Sequence, residues 1–376
     1  MAQLTVAVTG AAGYVGTRLV RSLCADDRVG RVLGFDLRQP GFHSDKLVFD
    51  VLDIRDERLA TRLRGADSLV HLAFVTDPIR DTSEMHDVNV GGSQNVFNCA
   101  AEASVSKIVY SSSATVYGAH PNNDCPLTED SPLRANLDFS FAAHKLEVEY
   151  IVKEFRSERS DVVVTLYRPA VVFGPHVDNV WSRLMEYPVL FGIKGYAPPF
   201  QFVHEDDVAS ALLFAVFNDL DGDYNLAPRG WLEHDETSEL IGRKSTKVSE
   251  QMAFPIMERL WRIGMAEAPA GMLNYVMHPW VMSADKLADT GFVCTKSNTD
   301  ALTEALSCMR PFVRIGRARL RKTSLAMGTG VAAAGLGVAI AATRRRRGGL
   351  GRTAGHARGG LGRTAGHARG GLGRTA

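Results

Sequence analysis

Three glycines in the run TGAAGYVG, Gly10, Gly13 and Gly16, stand at a spacing that suits a phosphate-binding turn. Gly10 allows the tight turn, Gly13 lets the backbone approach a pyrophosphate, and Gly16 lets the following helix pack closely on a sheet. The N–H groups left free at such a helix start, with the positive end of its dipole, attract phosphate. Tyr14 and Val15 lie inside the same run and are expected at the same site. Asp36 ends the run VLGFD, 20 residues after Gly16. A carboxylate there accepts hydrogen bonds from the adenosine ribose hydroxyls of a dinucleotide. It also repels a 2′-phosphate, so NAD is favoured over NADP, and Arg38 tempers that preference slightly.

These residues need a strand, a turn and a helix in that order, and the sequence supplies them. QLTVAVT at 3–9 is a short β-branched apolar run, and residues 14–25 carry Val15, Leu19, Val20 and Leu23 at helical spacing. The alternation continues with strands at 32–35, 68–72, 106–111 and 162–167 and helices at about 86–103 and 139–156. Short buried strands alternating with helices predict an α/β fold, a Rossmann-type doubly wound parallel sheet. Beyond Pro169 the pattern is irregular, and a smaller C-terminal substrate-binding lobe is expected. The expected division is a dinucleotide-binding domain over 1–174, rejoined by about 201–226, with the lobe formed from 175–200 and 227–310.

Composition narrows the function further. The 376 residues are 45% hydrophobic and 23% charged, ordinary for a globular protein. The net charge of +1 hides an asymmetry: residues 311–376 hold 14 Lys+Arg and no Asp or Glu. Residues 1–310 therefore hold 29 basic and 42 acidic residues, a net of −13, which argues against a specific nucleic-acid binder. Cys24, Cys99, Cys125, Cys294 and Cys308 form no CxxC and no zinc-like pairing with histidine, so reduced thiols and no metal site are expected. MAQLTVAVTG lacks the basic and apolar regions of a secretory signal, and a cytoplasmic location is expected.

The GxxGxxG spacing and several further motifs together resemble the extended short-chain dehydrogenase/reductase superfamily. Within it they resemble the NAD-dependent epimerase/dehydratase family, which includes UDP-glucose 4-epimerase. The resemblance runs from about residue 4 to about residue 306. DVLDIRD at 50–56 is similar to the family's adenine-contacting segment, which implicates Asp53 and Ile54. HLAF at 71–74 is similar to the strand segment beside the cofactor, implicating Leu72 and Ala73, and NVGGSQNV at 89–96 implicates Asn89. RPAVVFGP at 168–175, with Pro169, and FVHEDDVASA at 202–211 are similar to later signposts of the family.

The same resemblance implies a catalytic serine at Ser113, in YSSSATVYG, and a catalytic lysine at Lys145, in SFAAHKLEVEY. The family pairs that lysine with a tyrosine four residues earlier, and here the position holds Phe141. Phenylalanine has no proton to move, and losing a general acid/base typically lowers a rate by about 10²–10⁴. His144 and Tyr117 are candidate substitutes, while Tyr150 and Ser140 fall outside the motif's geometry. Asp206, Asp207 and His204 are expected to be structural, Arg168 to form an internal ion pair, and Asn179 and Trp181 to line the substrate cleft. The implied function is hydride transfer between NAD and a nucleotide sugar or related hydroxyl-bearing substrate. A silent NAD-binding sensor or scaffold and a hydroxysteroid-type dehydrogenase are the alternatives. Family habit also implies a homodimer, through the helices at about 86–103 and 139–156.

The C-terminal residues are different material: a basic linker at 311–323, an apolar segment at 324–343 and an Arg/Gly-rich repeat tail at 344–376. Residues 325–342 are uncharged over 18 positions, barely enough to span a bilayer. Spanning would carry RRRR across, against the positive-inside rule, whereas an interfacial helix on anionic lipid avoids that. Both geometries stay open, as does a plain basic extension. The tail, repeating GGLGRTAGHAR, is too rich in Gly and Arg to bury a core, and disorder is expected.

Overall fold

Leu4–Thr9 forms the first strand, β1, and its alternation sets the layers of the molecule. Val6 and Val8 enter one buried cluster and Ala7 the opposite one. Strands β2 (Val29–Asp36), β3 (Leu47–Val51), β4 (Ser68–His71), β5 (Lys107–Ser111), β6 (Val163–Pro169) and β7 (Gly222–Leu226) complete the sheet. The computed structural model describes residues 3–309, 311–315 and 318–321. The strand order is β7-β6-β5-β4-β1-β2-β3, and every neighbouring pair is parallel. This is the doubly wound sheet expected from the sequence. Its order reverses between β1 and β4, and ligands of such folds bind in the crevice beyond the strand ends at that switch point.

Helices cover both faces. Helix α1 (Tyr14–Ala25) buries Leu19 and Leu23 against Val6 and Val8, beside Leu212 and Val216 of the later helix Glu205–Phe217. On the other face α2 (Gly92–Glu102) and α3 (Ser140–Glu158) bury Phe97, Val148 and Val152 with Leu69 and Ile108. The helix expected over about 86–103 is present and starts earlier, at Thr82. Thr82–His86 runs through a π-helical turn at Asp87–Gly91 directly into α2. Within that turn Asn89 is fully buried and bonds both backbone groups of Val75, which ties the helix to the chain leaving β4.

Outside the large sheet Val189–Ile193 pairs with Lys244–Val248 in parallel, and the helix Glu250–Arg262 packs Ala253 on Ile193 and Met277. The described residues all fall within one compact unit, not the two separate parts expected. Part of the segment expected as a basic linker is paired backbone. Phe312–Ile315 and Ala318–Arg321 form an antiparallel hairpin, whose Arg314 and Arg319 meet the buried Glu186. Among the described residues no helix is long and apolar enough to cross a membrane. The apolar segment 324–343 and the repeat tail 344–376 lie outside the described residues.

Candidate active site

At the end of β1 the chain turns through Gly10 with φ +70°, a left-handed conformation that side chains disfavour. A Cβ on Gly10 would lie 2.6 Å from the backbone nitrogen of Ala73, at the end of β4. A Cβ on Gly16 would lie 2.1 Å from the carbonyl oxygen of Gly10, so helix and turn touch backbone to backbone. Gly13 stands at the N-cap of α1 and no side chain caps the helix, which leaves the first-turn N–H groups to a ligand. Asp36, at the end of β2, accepts from the backbone N–H of Ala12 at 3.0 Å and of Arg38 at 3.0 Å. These bonds aim its carboxylate at the glycine turn.

A cleft of about 660 Å³ opens beyond these strand ends. Gly10, Gly13, Tyr14, Val15, Gly16, Leu72, Ser113, Phe141, Lys145 and Pro169 all line it. Ser113 follows β5 in extended backbone, and its Oγ accepts from the Thr115 N–H at 3.2 Å and from the Thr115 hydroxyl at 3.0 Å. Lys145 projects from α3, donates to the Ser111 carbonyl at 2.7 Å and lies 3.3 Å from the Tyr110 hydroxyl. Its Nζ also sits 3.7 Å from the centre of the Phe74 ring. Burial pushes this ammonium down to about 7, a shift that the nearby Glu149 carboxylate opposes. Phe141, one turn before Lys145 on α3, packs between Phe74 and Phe139 with ring centres 5.8 Å away in each case.

Four residues implicated by resemblance do not line the cleft. Asp53 is taken up by Arg55, which bonds its carboxylate at 2.7 Å and also reaches Asp87. Ile54 is buried under α2, where a Cβ on Gly92 would lie 2.6 Å from its Cδ1. Ala73 contributes the backbone that meets Gly10, and Asn89 braces Val75. The candidate substitutes for a tyrosine are also directed elsewhere. His144 lies 3.4 Å from the Asn89 amide and edge-on to His86, and burial lowers its pKa. Tyr117 is buried and donates to Asn225 at 2.7 Å, Tyr150 is exposed, and Ser140 donates to the Met85 sulfur.

Arg168 is buried against Glu149 at 2.7 Å and Asp223 at 3.0 Å. Asp207 accepts from the Thr295 and Lys296 backbones, Asp206 pairs with Arg18 at 2.6 Å, and His204 caps the helix that follows it. Asn179 and Trp181 do line the cleft. The sequence reading missed Arg18, Phe74, Asp77, Phe139 and Trp280, which line it too. Arg18 was within reach of that reading, half a turn beyond Gly16 on α1. Phe74 closes the HLAF segment beside the cofactor, whereas Asp77, Phe139 and Trp280 carry no local signal, because tertiary folding alone brings them together. Among the described residues no group of His, Cys, Asp or Glu is arranged to hold a metal ion.

A dinucleotide turn at the switch point, with a serine and a lysine facing it from β5 and α3, defines an extended short-chain dehydrogenase/reductase domain. Residues 6–227 match the NAD dependent epimerase/dehydratase family, and the chain belongs to that family. An uncharacterized protein of Mycobacterium tuberculosis is 29% identical over 247 residues, which are 63% of this chain and 66% of that protein. The N-acetyl-alpha-D-glucosaminyl-diphospho-ditrans,octacis-undecaprenol 4-epimerase of Escherichia coli O157:H7 is 30% identical over 185 residues, 48% of this chain and 53% of that protein. The chain thus spans between about half and two thirds of the length of these curated relatives. The dTDP-glucose 4,6-dehydratase DesIV of Streptomyces venezuelae, solved with NAD bound, has the same fold. It superimposes with a TM-score of 0.65 at 23% identity, covering 82% of this chain and 97% of that one. NAD is the cofactor of the family, and the crowded glycine turn, the uncapped helix and the oriented Asp36 fit it.

Proposed function

We propose that this chain is an NAD-dependent oxidoreductase of the epimerase/dehydratase type whose substrate is a nucleotide sugar. The observation that carries the reading is one cleft with the glycine turn on one side and Ser113 and Lys145 on the other, in a chain of this family. The dTDP-glucose in the name of the Streptomyces venezuelae relative supports the nucleotide-sugar class, while the Escherichia coli relative's name shares only the sugar diphosphate, carried there on undecaprenol. NAD, when bound, supplies the hydride acceptor.

The start of α1 binds the pyrophosphate and Asp36 the adenosine ribose. Ser113 Oγ hydrogen-bonds the oxygen on the reacting carbon, and Lys145 holds the nicotinamide ribose. A hydroxyl whose carbon loses hydride must also lose its proton, and Phe141 cannot take it. Lys145 faces the cleft from the same helix, and its burial lowers the ammonium pKa toward the range in which a general base works. As a neutral amine it takes the substrate's proton, and as an ammonium it returns it.

The test uses the full chain with NAD and a panel of UDP-glucose, dTDP-glucose and UDP-N-acetylglucosamine, followed by nicotinamide absorbance and by product chromatography. Turnover on at least one nucleotide sugar is expected, with Lys145→Met inactive. No turnover by wild type or Phe141→Tyr on any of them, with NAD bound to both, would overturn the reading.

A further inference from the structure

Aromatic rings form a continuous series along the cleft. Trp181 stacks on Trp280 with centres 6.1 Å apart and planes at 29°. Trp280 meets Tyr275 at 5.0 Å, Tyr275 meets Phe139 at 5.6 Å, and Phe139 meets Phe141 at 5.8 Å. Phe141 meets Phe74 at 5.8 Å, and Phe74 carries the Lys145 ammonium on its face. Tyr275 and Phe139 are fully buried and back the series, and Trp280 bonds its indole N–H to the Tyr275 carbonyl at 3.1 Å. Trp181 is half-buried, and both it and Trp280 line the cleft. Phe141 is therefore one ring of a wall rather than an isolated loss.

Charge divides the cleft in the same way. Among the described lining residues the lysines and arginines are Arg18, Arg38 and Lys145. Arg18 is held by Glu205 and Asp206, each at 2.6 Å. Arg38 stands beside Asp36 at the adenosine end. Asp77 and Asp178 also line the cleft and, with Glu267, share Arg183, two residues beyond Trp181. Arg314 reaches Glu267 as well, so among the described ion pairs the two lining aspartates share a single guanidinium.

We propose that the Trp181–Trp280 pair is the platform on which the substrate's sugar ring stacks, and that Asp77 and Asp178 select a neutral sugar over a uronic acid. The inference rests on the nucleotide-sugar reading above and names the sugar class. A pyranose offers a face of C–H groups to the negative face of an indole. A carboxylated ring would bring its charge against the same π face and two aspartates, and like charge in a confined cleft is a selective penalty.

The experiment titrates the NAD-loaded full chain with UDP-glucose and with UDP-glucuronic acid, by calorimetry and by tryptophan fluorescence. UDP-glucose is expected to bind at least about tenfold more tightly and to change the fluorescence. Trp181→Ala should weaken UDP-glucose about tenfold to hundredfold with NAD affinity and melting temperature unchanged, while Trp181→Phe keeps most of the binding. Asp178→Asn should narrow the preference between the two sugars. Unchanged UDP-glucose affinity in Trp181→Ala, or equal affinity for the acid, would overturn the platform and leave the nucleotide-sugar reading standing. Failure of the wild type to bind UDP-glucose, dTDP-glucose or UDP-N-acetylglucosamine would overturn both.

Discussion

The two walls of the cleft are built by opposite means. The cofactor wall comes from one short stretch, Gly10 to Gly16, in which the absence of side chains lets β1, α1 and the end of β4 touch through backbone. The aromatic wall is assembled from Phe74, Phe139, Phe141, Trp181 and Trp280, contributed by separate parts of the chain. Backbone geometry leaves little latitude in the first wall, since a single added methyl collides. Side-chain volume makes the second, and aromatic packing tolerates exchange between rings of similar size. Such a division lets one wall hold a cofactor while the other sets the chemistry, and Phe141 belongs to the second.

Restoring a hydroxyl to the aromatic wall should have the largest effect. Phe141→Tyr supplies a phenol one turn from Lys145, and turnover on the best substrate of the panel should rise about 10²–10⁴-fold in initial-rate assays. No gain there, with Lys145→Met still inactive, would mean that Lys145 alone sets the rate. The cofactor wall should break more simply. Gly16→Ala places its methyl on a backbone oxygen that no rotamer change can clear. A destabilisation of about 1–3 kcal/mol is expected in thermal unfolding, with NAD binding weakened in calorimetry.

A milder change on the same wall is Asp36→Asn, which keeps the shape and removes the charge. NAD affinity should fall by about tenfold and discrimination against NADP should shrink, both read by competition titration.

The smallest effect concerns pH. The folded-state pKa of Lys145 is lowered from the ordinary lysine value to about 7, so the folded chain releases this proton before the unfolded chain does. Below pH 7 the penalty of a buried ammonium is fully present, and it is relieved as pH rises toward the unfolded value. Stability of the cofactor-free chain should therefore gain roughly 1 kcal/mol from this group between pH 7 and pH 8, and Lys145→Met should remove that slope in denaturant titrations.

The same contrast explains what could be read from the sequence. The turn at Gly10–Gly16, the strand ending at Asp36 and the doubly wound order follow from local pattern, because spacing and backbone freedom are written in neighbouring residues. Ser113 and Lys145 were reachable through motif resemblance and do share the cleft. Asp53 and Asn89 match motifs equally well, yet Arg55 and Val75 occupy their polar groups, which spacing alone does not reveal. Trp280 and Asp77 were not legible, since nothing near either of them signals a cleft. The π-helical widening before α2 is likewise not written in spacing, as Asn89 within it bonds Val75 across space.

The hairpin at Phe312–Ile315 and Ala318–Arg321 bears on how this chain can be shortened. Glu186 is buried with only 3% of its surface exposed, and Arg314 and Arg319 bring their guanidinium groups to its carboxylate. A protein ended just after the helix Asn298–Met309 would keep every cleft residue but strip both cations from a buried anion. Leaving a buried charge without its partners typically destabilises by about 3–5 kcal/mol. The shortest form worth expressing therefore ends beyond Arg321, and an inactive shorter one would report on Glu186 rather than on the chemistry of the cleft.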